Sequence, residues 1–377
     1  MTSAVAIDGR PAMNVWTTAG LLGLFAVAVV ATVVAAPLLV YSMTLATFGA
    51  AHVLSELRYV DRRFGRHLGI RRLAIMGFML AGAVAARCSG VFGLLPPEKA
   101  VPLELAFVVL LALSAADGSG LRSTLAVTLA IALGAATLAA PFDTAVTLSV
   151  LHNLTPLAFL WEISKGRSRS AVMTLALFFL IGLPLLVATG LPGGALLASG
   201  LPLPSLDPLH AGPLGEHLYV YVPVPLLYGE SATNLFSASV VAQCAHYTAV
   251  IVVLPAMLAA RDPSARGIVP WPGGWIFAGL IALVSVITLI GFAHGFVPAR
   301  ALYGITASIH AWIEIPLIVI ALTGGVHAEK RSPPITEAPL AQNDTIRARA
   351  GDNPIAQATN AASTTITIAS PATTAPS

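Results

Sequence analysis

Charge is what this chain has least of. Asp, Glu, Lys and Arg make up 10% of its 377 residues, against roughly a quarter in a soluble domain. Mean hydropathy is +0.84. So little charge cannot hydrate the surface of a water-soluble globule, which makes this an integral membrane protein. The net charge of +3 is scattered through loops and points to no nucleic-acid partner. Cysteine is almost absent: Cys88 and Cys244 both lie in apolar segments, so there is neither a disulfide framework nor a CxxC metal site. Both read as small buried hydrophobes. No phosphate-binding loop, GxSxG elbow or HExxH occurs. The N-terminal "MTSAVAIDGRPAMNVW" has no clustered basic region and no small-residue cleavage site, so the first apolar segment reads as a retained helix.

What is present is a series of long apolar runs. A bilayer core takes about 20 apolar residues per helix. Ten stretches qualify at roughly 17–36, 38–57, 73–94, 101–116, 123–140, 143–163, 171–191, 232–258, 274–293 and 302–324. The fold class is therefore all-α, a polytopic membrane bundle of about ten helices. The first two runs meet at Pro37, as two helices or as one kinked one. Basic residues cluster in "RYVDRRFGRHLGIRR", "SKGRSRS", "ARDPSARG" and "HAEKRS", after the second, sixth, eighth and tenth runs. The positive-inside rule puts these loops and both termini in the cytoplasm, as in a bacterial inner membrane. A Pro/Gly-rich loop from Leu191 to about Ser231 falls on the opposite side. The organisation expected is a short cytoplasmic segment (1–15), a transmembrane bundle (16–325) and a disordered Thr/Ala/Pro-rich cytoplasmic tail (326–377).

Ionisable groups inside such runs are costly and mark function by default. Of nine histidines, His67, His210, His217, His294 and His327 lie in loops or near run ends. The other four, His52, His152, His246 and His310, fall one each on the second, sixth, eighth and tenth runs. One imidazole on each of four helices is how a bundle builds a metal site in its core. "AHVLSE" and "IHAWIE" add Glu56 and Glu314 at i+4, on the same helix face as His52 and His310. Such a carboxylate either ligates directly or orients an imidazole. Asn153, Gln243 and Tyr247 stand beside His152 and His246 as hydrogen-bonding candidates, and Tyr247 joins the two glutamates as a candidate catalytic group. The run boundaries place His52 near the cytoplasmic end and His310 nearer the other. Tilt, or a break at Pro37, Pro156 or Pro316, is needed to bring them level. Arg87 reads as structural, either snorkelling to the far interface or pairing with Glu104 at the start of the next run, and Trp161–Glu162 as an interfacial anchor.

The clustered HxxxH and HxxHH boxes of membrane desaturases are missing. The order of "AHVLSE", "LHNLTP", "CAHY" and "IHAWIE" instead resembles the Brp/Blh family of membrane β-carotene 15,15'-dioxygenases. Glutamate stands where that family has aspartate. The resemblance implies a non-haem Fe(II) held by His52, His152, His246 and His310, with Glu56 and Glu314 orienting the imidazoles. It also implies oxygenase chemistry on a lipophilic, carotenoid-like substrate reached from the bilayer. The residues alone leave two alternatives open. One is a b-type haem protein using the histidines as axial pairs. The other is a proton- or metal-coupled transporter with Glu56 and Glu314 as relay groups.

Overall fold

The computed structural model describes residues 15–118, 120–200 and 206–324. The expected tail 326–377, and all but the last residue of the expected N-terminal segment 1–15, lie outside the described residues. Those residues form helices and no strand: α1 Val15–Ala35, α2 Pro37–Phe64, α3 Gly69–Val91, α4 Pro97–Leu113, α5 Leu121–Ala139, α6 Pro141–His152, α7 Pro156–Ile163, α8 Arg167–Leu177, α9 Leu183–Ala188, α10 Leu191–Ala198, α11 Ala232–Thr248, α12 Leu254–Arg261, α13 Gly274–His294 and α14 Phe296–Leu322. In hydrocarbon every backbone polar group must be satisfied within its own segment, which leaves the helix as the available form for apolar runs of this kind.

Among the described residues, eight helical segments are long and apolar enough to cross a membrane, counting α6–α7, α8–α9 and α11–α12 as one each. The apolar stretch of α1, Gly20–Ala35, and the 17-residue α4 fall short of that length.

Proline sets most of the helix boundaries. Pro37, Pro97, Pro141 and Pro156 each occupy the first helical position, where the missing N–H costs nothing. The residue before a proline is steered away from helical angles. Ala36 (φ −145°, ψ 66°) and Ala140 (φ −155°, ψ 78°) accordingly separate α1 from α2 and α5 from α6 with one residue each. Around Pro37 there are thus two helices. Deeper in the chain, Pro184 and Pro255 follow single π turns at Phe178–Gly182 and Ala249–Val253, which join α8 to α9 and α11 to α12. A proline cannot donate to the carbonyl four residues back, and a wider turn accommodates the loss.

Polar contacts sort the loops into two ends. At one end Arg62 donates to the Ala265 carbonyl (3.0 Å), Arg66 to Gly267 (3.2 Å), Arg261 to Ser168 Oγ (2.9 Å) and Arg122 to Thr323 Oγ1 (3.2 Å). The basic loops therefore share one face of the bundle. At the other end Asp143 accepts from the Val224 N–H (2.9 Å) and Ser149 donates to the Val220 carbonyl (3.2 Å), drawing the segment 206–231 over the helix ends. There His217, a loop residue by sequence, is buried. Its Nε2 donates to the Ala211 carbonyl (2.8 Å), which fixes Nδ1 as the acceptor from Arg300 (2.7 Å).

Two apolar cores lie between these ends. The one nearer the basic loops includes Tyr59, Phe64, Phe159, Leu254, Trp312 and Leu317. The other includes Val33, Tyr41, Leu45, Val187, Phe236 and Phe296. α14 runs through the middle, packing on α2, α3, α4, α5, α7 and α13. Buried ion pairs lock this packing. Glu104 Oε1 accepts from Arg87 Nε and from Trp312 Nε1, each at 2.7 Å, tying α3 and α14 to α4. Glu162, expected at the interface, is buried instead and takes the guanidinium of Arg63 in two contacts, one of them 2.9 Å. Trp161 alone faces outward, stacked under Arg169 (4.4 Å). The neighbouring "SKGRSRS" marks the edge of the bundle, but the helix turns its acid inward.

Removing one partner of a buried ion pair costs about 3–5 kcal/mol, because the other charge is left bare. Glu162→Ala should therefore lower the unfolding free energy of the detergent-solubilised protein by about 3 kcal/mol. The double variant Arg63→Met/Glu162→Leu should lose less than either single change. Equal stability of Glu162→Ala and wild type in denaturant titrations would contradict the pairing.

Candidate metal centre

The four histidines of the apolar runs meet between the two cores. Each lies within two residues of the middle of its segment: Pro37–Phe64, Pro141–Ile163, Ala232–Arg261 and Phe296–Leu322. The mismatch in depth expected from hydropathy is thus absent. The helices outrun the apolar stretches, α2 continuing through "RYVDRRF" and α14 beginning six residues earlier, at Phe296.

The local structure positions each ring. His52 and Glu56 share one face of α2, as His310 and Glu314 do on α14. His152 is the last residue of α6, where Pro156 interrupts the helix. The carbonyl of His152 is taken up by the backbone N–H (3.1 Å) and the hydroxyl (2.9 Å) of Thr155, so the break leaves no bare acceptor there. His246 sits in the last turn of α11, just ahead of a π turn, a distortion that frequently marks functional positions.

His310 Nε2 stands 3.0 Å from His52 Nε2 and 3.0 Å from His152 Nε2. The ring of His246 closes the group, with centroids 4.6 Å from His152 and 5.6 Å from His52. One ligand nitrogen from each of the four lies within 4.8 Å of all the others. His246, His310 and His52 are at most 2% exposed, and only His152, at 16%, reaches the surface. A ring nitrogen of a neutral imidazole is either an N–H donor or a bare acceptor with one lone pair, so His310 Nε2 cannot make a full hydrogen bond to both of its close nitrogen neighbours. Both nitrogens of His246 and both oxygens of Glu56 are buried with no hydrogen bond among the described residues. A single cation among the nitrogens would satisfy this otherwise frustrated set. Two nitrogens at right angles about an ion, each about 2.1 Å from it, stand about 3.0 Å apart, whereas tetrahedral ligands stand about 3.4 Å apart. The two 3.0 Å separations at His310 are short enough for these nitrogens to share one ion.

The carboxylates pair across helices. Glu314 Oε2 lies 2.7 Å from Nδ1 of His152, on α6, while the Nε2 of the same ring faces the centre. That places a carboxylate beside the far nitrogen, where the support of a ligating histidine usually stands, although the two atoms meet as a close ion-pair contact without hydrogen-bond geometry. Glu56 Oε2 instead points into the cluster, 3.5 Å from His246 Nε2 and 3.9 Å from His310 Nε2. It is placed as a further ligand or as a counter-charge. Tyr247 stacks on His52 (centroids 4.1 Å apart, interplanar angle 24°), so its ring holds the imidazole flat. The other polar candidates turn elsewhere. The Asn153 amide bonds the Ser149 and Val150 carbonyls of its own helix (both 3.3 Å), and Gln243 bridges Tyr221 (2.5 Å) and Thr44 (3.0 Å). Sequence reasoning missed Tyr303, whose ring fills the space over Gly49. An alanine Cβ there would stand 2.9 Å from that ring. The signal was available, since Tyr303 lies two turns before His310 on the same face of α14.

Comparison of the chain with family models, with curated proteins and with solved structures finds no match. What the site can do therefore rests on its own geometry.

Loss of a supporting carboxylate typically weakens metal affinity 10–100-fold. Glu314→Gln should cost about that factor in competitive chelator titration, whereas Tyr247→Phe, which keeps the stacked ring, should leave the affinity within about threefold. An unchanged affinity in Glu314→Gln would remove the orienting role.

Proposed function

We propose that this protein is a membrane metalloenzyme, a non-haem iron oxygenase acting on a lipophilic, carotenoid-like substrate. The observation that carries the reading is the cluster of four imidazoles around a common point, with two fully buried carboxylates beside it. Four neutral nitrogens and two negative charges match the needs of a divalent ion in charge and in donors. Bound Fe(II) would supply the activation of dioxygen towards an electron-rich polyene.

The chain's own residues do the rest. His52, His152, His246 and His310 hold the ion, Glu314 fixes the ring of His152, and Glu56 stands close enough to balance charge at the open side. Tyr247 keeps His52 from rotating. The apolar cores on either side keep water away from the reacting atoms. Access is lateral in this reading: His152 is the one histidine of the four that reaches the surface, beside lipid-facing Leu151. A substrate dissolved in the bilayer would arrive there. The shared order of histidine motifs with the Brp/Blh dioxygenases supports the same assignment. In this reading α1 and α4 complete a ten-crossing bundle with its basic end in the cytoplasm.

The same geometry weighs against the alternatives. The four rings pack directly on one another, and a porphyrin has no slot between them. Transport needs a polar route to both ends, and the centre is flanked on both sides by largely apolar cores.

Elemental analysis of the purified protein should find about one iron per chain, lost in His310→Ala. The iron-loaded protein in mixed micelles should consume oxygen with β-carotene and not with a saturated hydrocarbon of similar length. A well-folded protein that binds no transition metal would overturn the whole reading. Tight binding of zinc alone, with no oxygen uptake, would overturn the oxygenase part.

A further inference from the structure

A groove of about 850 Å³ opens at the basic end of the bundle, between the turn joining α2 to α3 and the end of α4. Arg66, His67, Arg71 and Arg72 line its rim, and Ile75, Leu110 and Leu113 continue it along the outside of the helices. We infer that this groove binds the head group of an anionic phospholipid, with an acyl chain lying along the Ile75–Leu110–Leu113 strip.

Its positive charge has no acid to answer it. Arg66 donates to the Gly267 carbonyl (3.2 Å) and Arg72 to the Ala116 carbonyl (3.1 Å), so each spends one donor on a neutral acceptor. Arg71 makes no hydrogen bond or ion pair among the described residues. The acids at this end that adjoin the lining segments in sequence, Asp61 and Asp117, are committed elsewhere. Asp61 receives the Ile268 N–H (2.9 Å), the Val269 N–H (3.0 Å) and the Trp271 indole N–H (2.9 Å). Asp117 pairs with Arg122. In addition, Nδ1 of His67 is buried without a hydrogen-bond partner. Gly69, at φ +68°, takes the left-handed turn that lets the chain reverse here without a side chain in the way.

The apolar part argues for a lipid over a free anion. Ile70 is 84% exposed in the middle of the basic rim, and Ile75, Leu110 and Leu113 all face outward. Cations at a membrane surface are drawn to anionic lipid, and basic pockets between crossing helices recurrently hold such head groups. A soluble anion would have no use for the strip beneath. The inference needs only the membrane reading and is independent of the metal centre.

The test titrates purified full-length protein in detergent with phosphatidylglycerol or with phosphatidylcholine of the same chain length, counting bound lipid by native mass spectrometry. Phosphatidylglycerol should bind at least about tenfold more tightly, and Arg66→Gln/Arg71→Gln/Arg72→Gln should remove most of that preference. Arg71→Gln alone, a change at an exposed and unbonded side chain, should reduce it measurably if the triple variant misfolds. Lys165→Gln/Arg169→Gln/Arg261→Gln, equal in charge and at the same end, should leave it intact. Equal binding of the two lipids would overturn the inference, as would equal losses in the two triple variants. Displacement of phosphatidylglycerol by millimolar inorganic phosphate would reassign the groove to a free anion and overturn it too.

Discussion

Two carboxylates with no solvent exposure, set among four imidazoles in the middle of an apolar bundle, are the constraint on which the rest of the structure depends. An uncompensated charge in such surroundings costs several kcal/mol even after relaxation. Hydrogen bonding does not remove the problem for Glu56 or Glu314, none of whose oxygens has a hydrogen-bond donor among the described residues. Positive charge at the cluster itself would compensate both carboxylates. A divalent ion supplies it in one step and uses the converging nitrogen lone pairs as well. Protons could balance the carboxylates, yet they would not satisfy His310 Nε2, which meets two other nitrogens at 3.0 Å.

Everything around the cluster keeps that arrangement from relaxing. Above and below it the packing is apolar, so polar groups cannot escape along the bundle axis. The Glu104 node joins three helices through Trp312, which lies between His310 and Glu314 on α14. The Arg63–Glu162 pair fixes α7 against α2, and with it the helix that follows the break at His152. Tyr303 over Gly49 sets how closely α14 approaches α2, the two helices whose histidines touch. A methyl group at Gly49 would meet the far end of the Tyr303 ring at 2.9 Å, so that ring would have to move.

Much of this was legible in the sequence. Hydropathy located the helical segments, because a bilayer demands long apolar runs and leaves few other forms for them. The four histidines stood out because imidazole is costly in such runs, and the arginine in "GAVAARCSG" found the acid expected for it. Three features were hidden for definable reasons. Depth was misjudged because an apolar window stops at the first charges, while a helix such as α2 carries on through them. The partner of Glu314 was hidden because i,i+4 spacing fixes a face of one helix and says nothing about which neighbour that face meets. Glu162 looked interfacial because it abuts a basic loop, and only the position of Arg63 on another helix shows that it turns inward.

The two glutamates have opposite relations to the centre, and this asymmetry bears most directly on the proposed chemistry. Glu314 contacts the far nitrogen of His152, the histidine at the surface and at the helix break, whose ring would otherwise be the freest of the four. Its negative charge makes that ring a stronger donor and holds it in place where substrate would arrive. Glu56 faces the cluster from the opposite helix, next to His246 and His310, which are sealed from solvent. Glu56 also lies within 4.8 Å of the ligand atoms of His152 and Glu314, so both carboxylates bear on the accessible edge, while Glu56 alone faces the nitrogens of His246 and His310 as well. Such an arrangement suits a centre that must keep one edge open to the bilayer. A closed structural site would have no reason to leave its least protected ligand at a helix break.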